Sequence, residues 1–353
     1  MNIAVITVPD SSNCGSFLQA FAMKTFLESY GHHVTFIKTR SSKYVRQLFY
    51  TPSLLIRSII KWPVIGYKRW LFWKNSYKMF SLAWKDHLTI KESDINDFDL
   101  IVLGSDEIWN VKTAVFNRPI FWGDGHENVV AYAVSCGRAT IKDFEGKQNL
   151  IECMKRIPAI FPRDESTNNI VTYYTGKGRS CVCDPTLLIR WEDIETALPT
   201  ALSDDYLMVY AYSVSDKMKD NIIKYAKANK LRIVSICFFY MWADLNLSIN
   251  PLQLFTTCKH ASAIVTETFH GSIFAALSGS KFVSFPTGSK SKVVDFLKRA
   301  GCENRIISCE AGFEEFASKL APDVDMQRIN SFVSSYRDLS SDILLNAIRE
   351  IVS

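Results

Sequence analysis

"NIAVITVPDSSNCGSFLQAFAMKTFLESYGHHVTFI", residues 2–37, is the stretch that sets the fold class. Ile3 to Val8 is an apolar run of strand length, and Pro9 to Gly15 is a polar loop. Ser16 to Tyr30 then places Leu18, Phe21, Ala22 and Thr25 at helical spacing. Gly31 stops that helix, and His33 to Ile37 begins a second apolar run. A strand, a crossover helix and a second strand call for parallel pairing, so the chain opens with a βαβ unit.

The same logic recurs outward from this unit. "DLIVLGSD" (99–106), "NVVAYAVS" (128–135) and "IPAIFPRD" (157–164) are further strands, each running into a polar or glycine loop. "CVCDPTLLI" (181–189) reads as a hinge, because Asp-Pro breaks the pattern. Beyond it a second series follows: "YLMVYAYS" (206–213), "LRIVSICF" (231–238), "ASAIVTET" (261–268) and "KFVSFP" (281–286), with helical segments such as Lys217 to Asn229 between them. A chain of 353 residues is long enough for two cores. The expected architecture is α/β, with one domain over 1–183, a second over 184–353, and a cleft between them. In such sheets ligands sit outside the carboxyl ends of the strands.

Composition narrows the class. Nine scattered cysteines show no C-x-x-C, and Cys181-x-Cys183 is too short for a zinc knuckle, which points to a reduced cytoplasmic protein without a structural metal. The opening decapeptide lacks the charged region of a signal peptide, and no apolar run is long enough to span a bilayer. The net charge of +5 is unevenly placed: between Glu28 and Asp86 there is no acid but there are eleven lysines and arginines, which leaves the rest of the chain at −6. That basic stretch, about 40–90, is also aromatic and helical in pattern. It fits a solvated subdomain or a surface for anionic lipid, where Trp and Tyr favour the headgroup zone. Its composition also fits single-stranded nucleic acid, but the acidic remainder argues against a nucleic-acid partner.

Four loops at strand ends carry candidate chemistry. Asn13-Cys14-Gly15-Ser16 precedes a helix, where free N–H groups suit an anion and Gly15 permits close approach, unless Asn13 or Ser16 merely caps the helix. Gly104-Ser105-Asp106-Glu107 presents a carboxylate for acid–base work, or a cap for a helix containing Ile108 and Trp109. Arg163 emerges from a buried strand as a fork for a carboxylate or phosphate, or as a partner of Asp164 or Glu165. His270, between Thr268 and Gly271 at a helix start, either fills core or faces an anionic ligand. Lys281, Lys290 and Lys292 follow it.

Taken in order, these segments resemble the polysaccharide pyruvyl transferase family over most of the chain. "NCGSFLQAFAMKTFLESYGHHVTFIKTR" is similar to its Asn-x-Gly opening. "FDLIVLGSDEIWN" resembles its Gly-Ser-Asp-Gln-x-Trp-Asn signature, with Glu107 in place of Gln. "YAVSCG", "PRDES", "CDPTLLI" and "TETFHGSIFAALSGSKFV" match further blocks. Some members carry an arginine where this chain has Thr268.

The resemblance implies two Rossmann-like domains in a glycosyltransferase-B-like arrangement. It also implies transfer of pyruvate from phosphoenolpyruvate onto a sugar as a ketal, here a surface-polysaccharide precursor carried on polyprenyl diphosphate. That reaction needs an acid and a base but neither a metal nor a redox cofactor. His270 and Asp106 are the expected catalytic pair. Arg163, Thr268, His270, Gly271 and Lys292 are expected on the donor, and Asn13, Gly15, Ser105 and Glu107 on the acceptor. The expected location is cytoplasmic, peripheral on the inner membrane face. A nucleotide-sugar glycosyltransferase of the same architecture and a non-catalytic polysaccharide-binding relative are the alternatives.

Overall fold

The structure, a computed structural model, describes residues 1–39, 63–176, 178, 180–194, 196–203, 205–287 and 291–353. Lys290 and the first half of the basic stretch, including Arg40, Tyr44, Lys61 and Trp62, lie outside the described residues. Among the described residues, six strands form the first sheet: β1 (Asn2–Ile6), β2 (His33–Ile37), β3 (Ile90–Lys91), β4 (Leu100–Leu103), β5 (Val129–Val134) and β6 (Ala159–Pro162). Five form the second: β7 (Tyr206–Tyr210), β8 (Arg232–Ile236), β9 (Leu245–Leu247), β10 (Ala263–Thr266) and β11 (Phe282–Ser284). Around them run α1 (Cys14–Ser29), α2 (Pro63–His87), α3 (Gln148–Arg156), α4 (Glu165–Thr175) and α5 (Asp216–Ala228). The remaining helices are α6 (Leu254–Lys259), α7 (Phe269–Ser278), α8 (Ser291–Arg299), α9 (Phe313–Leu320) and α10 (Met326–Val352).

Every strand pair is parallel, in the orders β3-β2-β1-β4-β5-β6 and β11-β10-β7-β8-β9. Both are doubly wound. In the first sheet β1 pairs with β2 on one side (Ile3 opposite Val34) and with β4 on the other (Ile3 opposite Leu100). The strand order therefore reverses at β1/β4, and again at β7/β10 in the second sheet, which is where such sheets open a crevice. The central strands are apolar and buried along their length, as a parallel sheet covered on both faces requires. The strands at two sheet edges, β3 and β9, span two and three residues and are too short to show a pattern in the sequence.

The two sheets do not stand apart. Phe21 on α1 lies 6.2 Å from the Trp191 ring, which meets Phe274 of α7 edge-on at 5.0 Å. Cys14 Sγ lies 2.7 Å from Cys237 Sγ across the same seam. Helix α10 returns to the segment between the sheets: Ser340 Oγ accepts the Cys183 N–H at 3.0 Å, and Arg337 donates to the carbonyls of Leu187 (2.6 Å) and Ile189 (3.2 Å). Helix α2 crosses the seam too. Its inner side buries Phe72, Phe80, Ala83 and Trp84. Phe72 sits 5.8 Å from Phe239, and Ser76 Oγ lies 2.7 Å from Ser248 Oγ, both partners belonging to the second half of the chain.

Candidate active site

Helix α1 begins at Cys14, because Asn13 caps it by accepting the Gly15 N–H at 2.8 Å. The cap leaves the Asn13 amide free to reach across the seam, and Nδ2 donates to the Tyr212 hydroxyl at 2.6 Å. Strand β4 runs out into Gly104, whose φ of +117 and tight fit against the Tyr132 carbonyl exclude any side chain. Asp106 follows with φ of +70, a left-handed conformation that aspartate tolerates at some cost. Its carboxylate accepts from Ser16 Oγ at 2.6 Å and from the Glu107 N–H at 2.9 Å. No helix follows it, and Ile108 and Trp109 go into the core, so Asp106 caps nothing there. Ser105 is fully buried, held through its N–H by Gln19 Oε1 (3.2 Å) and through its carbonyl by Thr7 Oγ1 (3.1 Å).

The facing wall comes from β10 and α7. Thr268 Oγ1 caps α7 by accepting the Gly271 N–H at 2.9 Å. A Cβ on Gly271 would lie 2.2 Å from Thr266 Oγ1, so the turn closes only around glycine. His270 occupies the first turn of α7, and its ring lies against Gly15: a Cβ there would sit 2.1 Å from Nδ1. The two motifs from opposite ends of the chain thus meet face to face. Glu267, which sequence reading passed over, is buried and accepts from the Tyr212 N–H (2.7 Å), the Ser213 N–H (2.9 Å) and Thr287 Oγ1 (2.8 Å).

Beneath this contact lies a buried polar chain. Arg163 Nη1 donates to Asp184 Oδ2 at 2.7 Å and to Ser105 Oγ at 3.2 Å, and its guanidinium stands 4.9 Å from the Phe269 ring. Neither Asp164 nor Glu165 pairs with it; Asp164 is turned to Ser135, Ser166 and Thr167 as the cap of α4. Asp184 Oδ2 lies 3.6 Å from His270 Nε2, which is ion-pair range but longer than a hydrogen bond. Among the described residues, Arg163 Nε and Nη2 and His270 Nε2 are buried without a hydrogen-bond partner. Burial by itself would raise the Asp184 carboxyl. His270, Arg163 and the Thr186 N–H outweigh that and hold it well below the usual carboxylate range. Asp184 is missing from the sequence-derived candidates, because it reads as part of a hinge and only the fold brings it under His270.

Above the chain opens a cleft of about 580 Å³. Asn13, Asp106, Glu107, Thr268, His270 and Lys292 line it, while Gly15, Ser105, Arg163 and Gly271 lie behind its surface. Lys292, in the first turn of α8, donates to Glu107 Oε1 at 2.5 Å across the cleft. The Lys292 ammonium is the largest influence on Glu107, ahead of the opposing effect of burial, and holds its carboxyl down at about 2. Arg138 adds an exposed cation at the rim that no sequence motif signalled. Lys281 starts on the far side of its strand and pairs with Asp323 at 3.7 Å. Among the described residues no group of three His, Cys, Asp or Glu side chains is arranged for a metal ion.

The family model for polysaccharide pyruvyl transferase matches residues 13–289, a span that holds every donor-side, acceptor-side and catalytic candidate above except Lys292. The chain belongs to that family. It is therefore a transferase of polysaccharide biosynthesis. None of the curated proteins matches its sequence. Among solved structures, UDP-GlcNAc 2-epimerase from Neisseria meningitidis bound to UDP-GlcNAc superposes with a TM-score of 0.52 at 9% identity, covering 99% of this chain and 100% of that one. MnaA of S. aureus with UDP superposes with a TM-score of 0.53 at 9% identity, covering 98% and 97%. At such identity the likeness is one of fold. This pyruvyl transferase is an α/β protein of two Rossmann-like domains in a glycosyltransferase-B-like arrangement, with its family motifs gathered on the cleft between them.

Proposed function

We propose that this pyruvyl transferase moves pyruvate from phosphoenolpyruvate onto two hydroxyls of a sugar in a surface-polysaccharide precursor carried on polyprenyl diphosphate. The observation that carries the reading is the contact of His270 with Gly15, which puts a histidine, a helix N-terminus and the Asp106 carboxylate on one cleft. Helix geometry leaves the first-turn amides of α7 without intrahelical acceptors; Thr268 Oγ1 takes that of Gly271, and the amides before it, with the positive dipole end, suit a phosphate. In this reading His270 contacts the phosphate and transfers protons, with Arg163 behind it supplying positive potential to the donor's charges. Thr268, Gly271 and Lys292 complete the donor side. Asp106 takes the proton of the attacking hydroxyl, and Asn13, Gly15, Ser105 and Glu107 shape the acceptor side.

The atoms balance without further reactants. The enol CH₂ carbon gains a proton, one sugar oxygen bonds to C2, and the C2–O bond to phosphate breaks. A second sugar oxygen then closes the ketal. Of the two hydroxyl protons released, one is matched by the new methyl proton and one leaves with hydrogen phosphate. The test is incubation with phosphoenolpyruvate and a panel of glycans. The expected result is release of one phosphate per pyruvyl ketal gained in mass. Glycosyl transfer from a nucleotide sugar, with no reaction of phosphoenolpyruvate, would overturn the reading.

A further inference from the structure

Among the described residues, helix α2 leaves one face uncovered. Val64, Tyr67, Leu71, Met79 and Leu82 are 38% to 69% exposed, and their spacing sets them along one side of the helix. Met241, 68% exposed, stands beside them and lines with Leu71, Lys78 and Met79 a groove of about 750 Å³. Interleaved with these apolar groups are the exposed cations Lys68, Lys74, Lys78 and Lys85, with Arg69 exposed on the flank toward the inner row, and the helix carries no acid before Asp86. The carboxylate in the groove, Asp244, is already engaged by the Ile233 N–H at 2.7 Å. A merely solvated face has no use for so many large apolar groups.

We infer that this face of α2, with Met241, rests on an anionic lipid bilayer. Side chains of both kinds meet their complement there: the apolar groups enter the boundary below the headgroups, and the cations lie among the phosphates. Single-stranded nucleic acid fits less well, because this face presents mainly aliphatic side chains (Val64, Leu71, Met79 and Leu82) beside Tyr67, while Phe72, Phe80 and Trp84 are locked into the body of the protein. The inner side of the same helix adjoins the active site. Trp73, on the inner side of α2, shares a small hollow with Asn13, Cys14 and Tyr212, and Asn13 and Tyr212 also line the cleft. A bilayer under α2 thus brings a lipid-carried acceptor to the mouth of the cleft; this last use rests on the proposed function, while the contact itself does not.

The test is sedimentation of the full chain with phosphatidylglycerol or phosphatidylcholine vesicles, for wild type, for Lys68→Gln/Arg69→Gln/Lys74→Gln/Lys78→Gln, and for Leu71→Asn/Leu82→Asn. Thermal melting checks that each variant is folded. Wild type is expected to bind phosphatidylglycerol in a salt-sensitive way. The charge variant is expected to bind about 100-fold or more weakly, and the leucine variant to bind more weakly as well. The rate on a short soluble acceptor should be the same in all three. Wild type that ignores anionic vesicles, variants that bind them as wild type does, or preferential binding to a single-stranded RNA oligomer would each overturn the inference. Vesicle binding without any pyruvyl transfer in wild type would overturn the proposed reaction alone.

Discussion

A methyl group on Gly15 would occupy the place of the His270 imidazole, so the two positions are coupled by volume as well as by function. His270 is buried against Gly15 but lines the cleft, and His270→Ala is expected to lower pyruvyl transfer about 100- to 10,000-fold, as loss of a positioned acid–base group does, with thermal melting checking that the variant is folded. Asp106→Asn keeps the size of the side chain and the acceptor for the Ser16 hydroxyl but removes the carboxylate. A large fall in rate with phosphoenolpyruvate affinity retained, read by titration calorimetry, is expected; unchanged rate and affinity would reduce Asp106 to a turn residue. Glu107 gives a signature in acid. Its folded pKa of about 2 lies below the roughly 4.3 of an unfolded glutamate. Its contribution is fully present above the unfolded value and is lost as pH falls through the folded one. Glu107→Gln is therefore expected to flatten the fall in stability between those two values, measured as melting temperature against pH.

At the scale of elements, α2 joins the two halves of the molecule. Its inner row is pinned by Phe72 against Phe239 and by Ser76 against Ser248, so the helix is as much a part of the second domain's wall as of the first. Phe80 is 2% exposed in that row. Phe80→Ala is expected to cost about 3–5 kcal/mol through lost burial and the cavity left behind. The measurement is the urea midpoint, and a change under 1 kcal/mol, on the order of an exposed substitution, would show that the row is not packed as described. The outer row and the inner row of the same helix thus have separable roles. Hydrophobic spacing alone could not divide them, because aromatics and cations occur on both sides.

The whole molecule behaves as two sheets around one seam. Phe21, Trp191 and Phe274 form an apolar stack through it, and α10 ties back to the segment from Cys181 to Ile189. A donor bound between α7 and the first domain touches both halves, so it stabilises their closed arrangement by mass action, about 2.7 kcal/mol at 100 times its dissociation constant. Phosphoenolpyruvate is expected to raise the melting temperature of wild type and to leave that of His270→Ala unmoved. An equal rise in both proteins would place the donor away from His270.

Sequence alone determined the parts whose signal is local. Apolar runs of strand length, the helix starting after Asn13 and the glycine stops follow from neighbours a few residues apart, and the nine strands other than β3 and β9 stand where the apolar runs are. The family motifs were legible for the same reason, since Asn13-x-Gly15, Gly104-Ser105-Asp106 and His270-Gly271 are each contiguous. Tertiary structure decided what distance along the chain conceals. Only the docking of two doubly wound sheets at their switch points sets Gly15 against His270, moves Arg163 from a neighbouring carboxylate to Asp184, and leaves Lys292 bound to Glu107. A buried charge takes the partner that packing delivers, and packing depends on the crossing of whole elements rather than on sequence spacing.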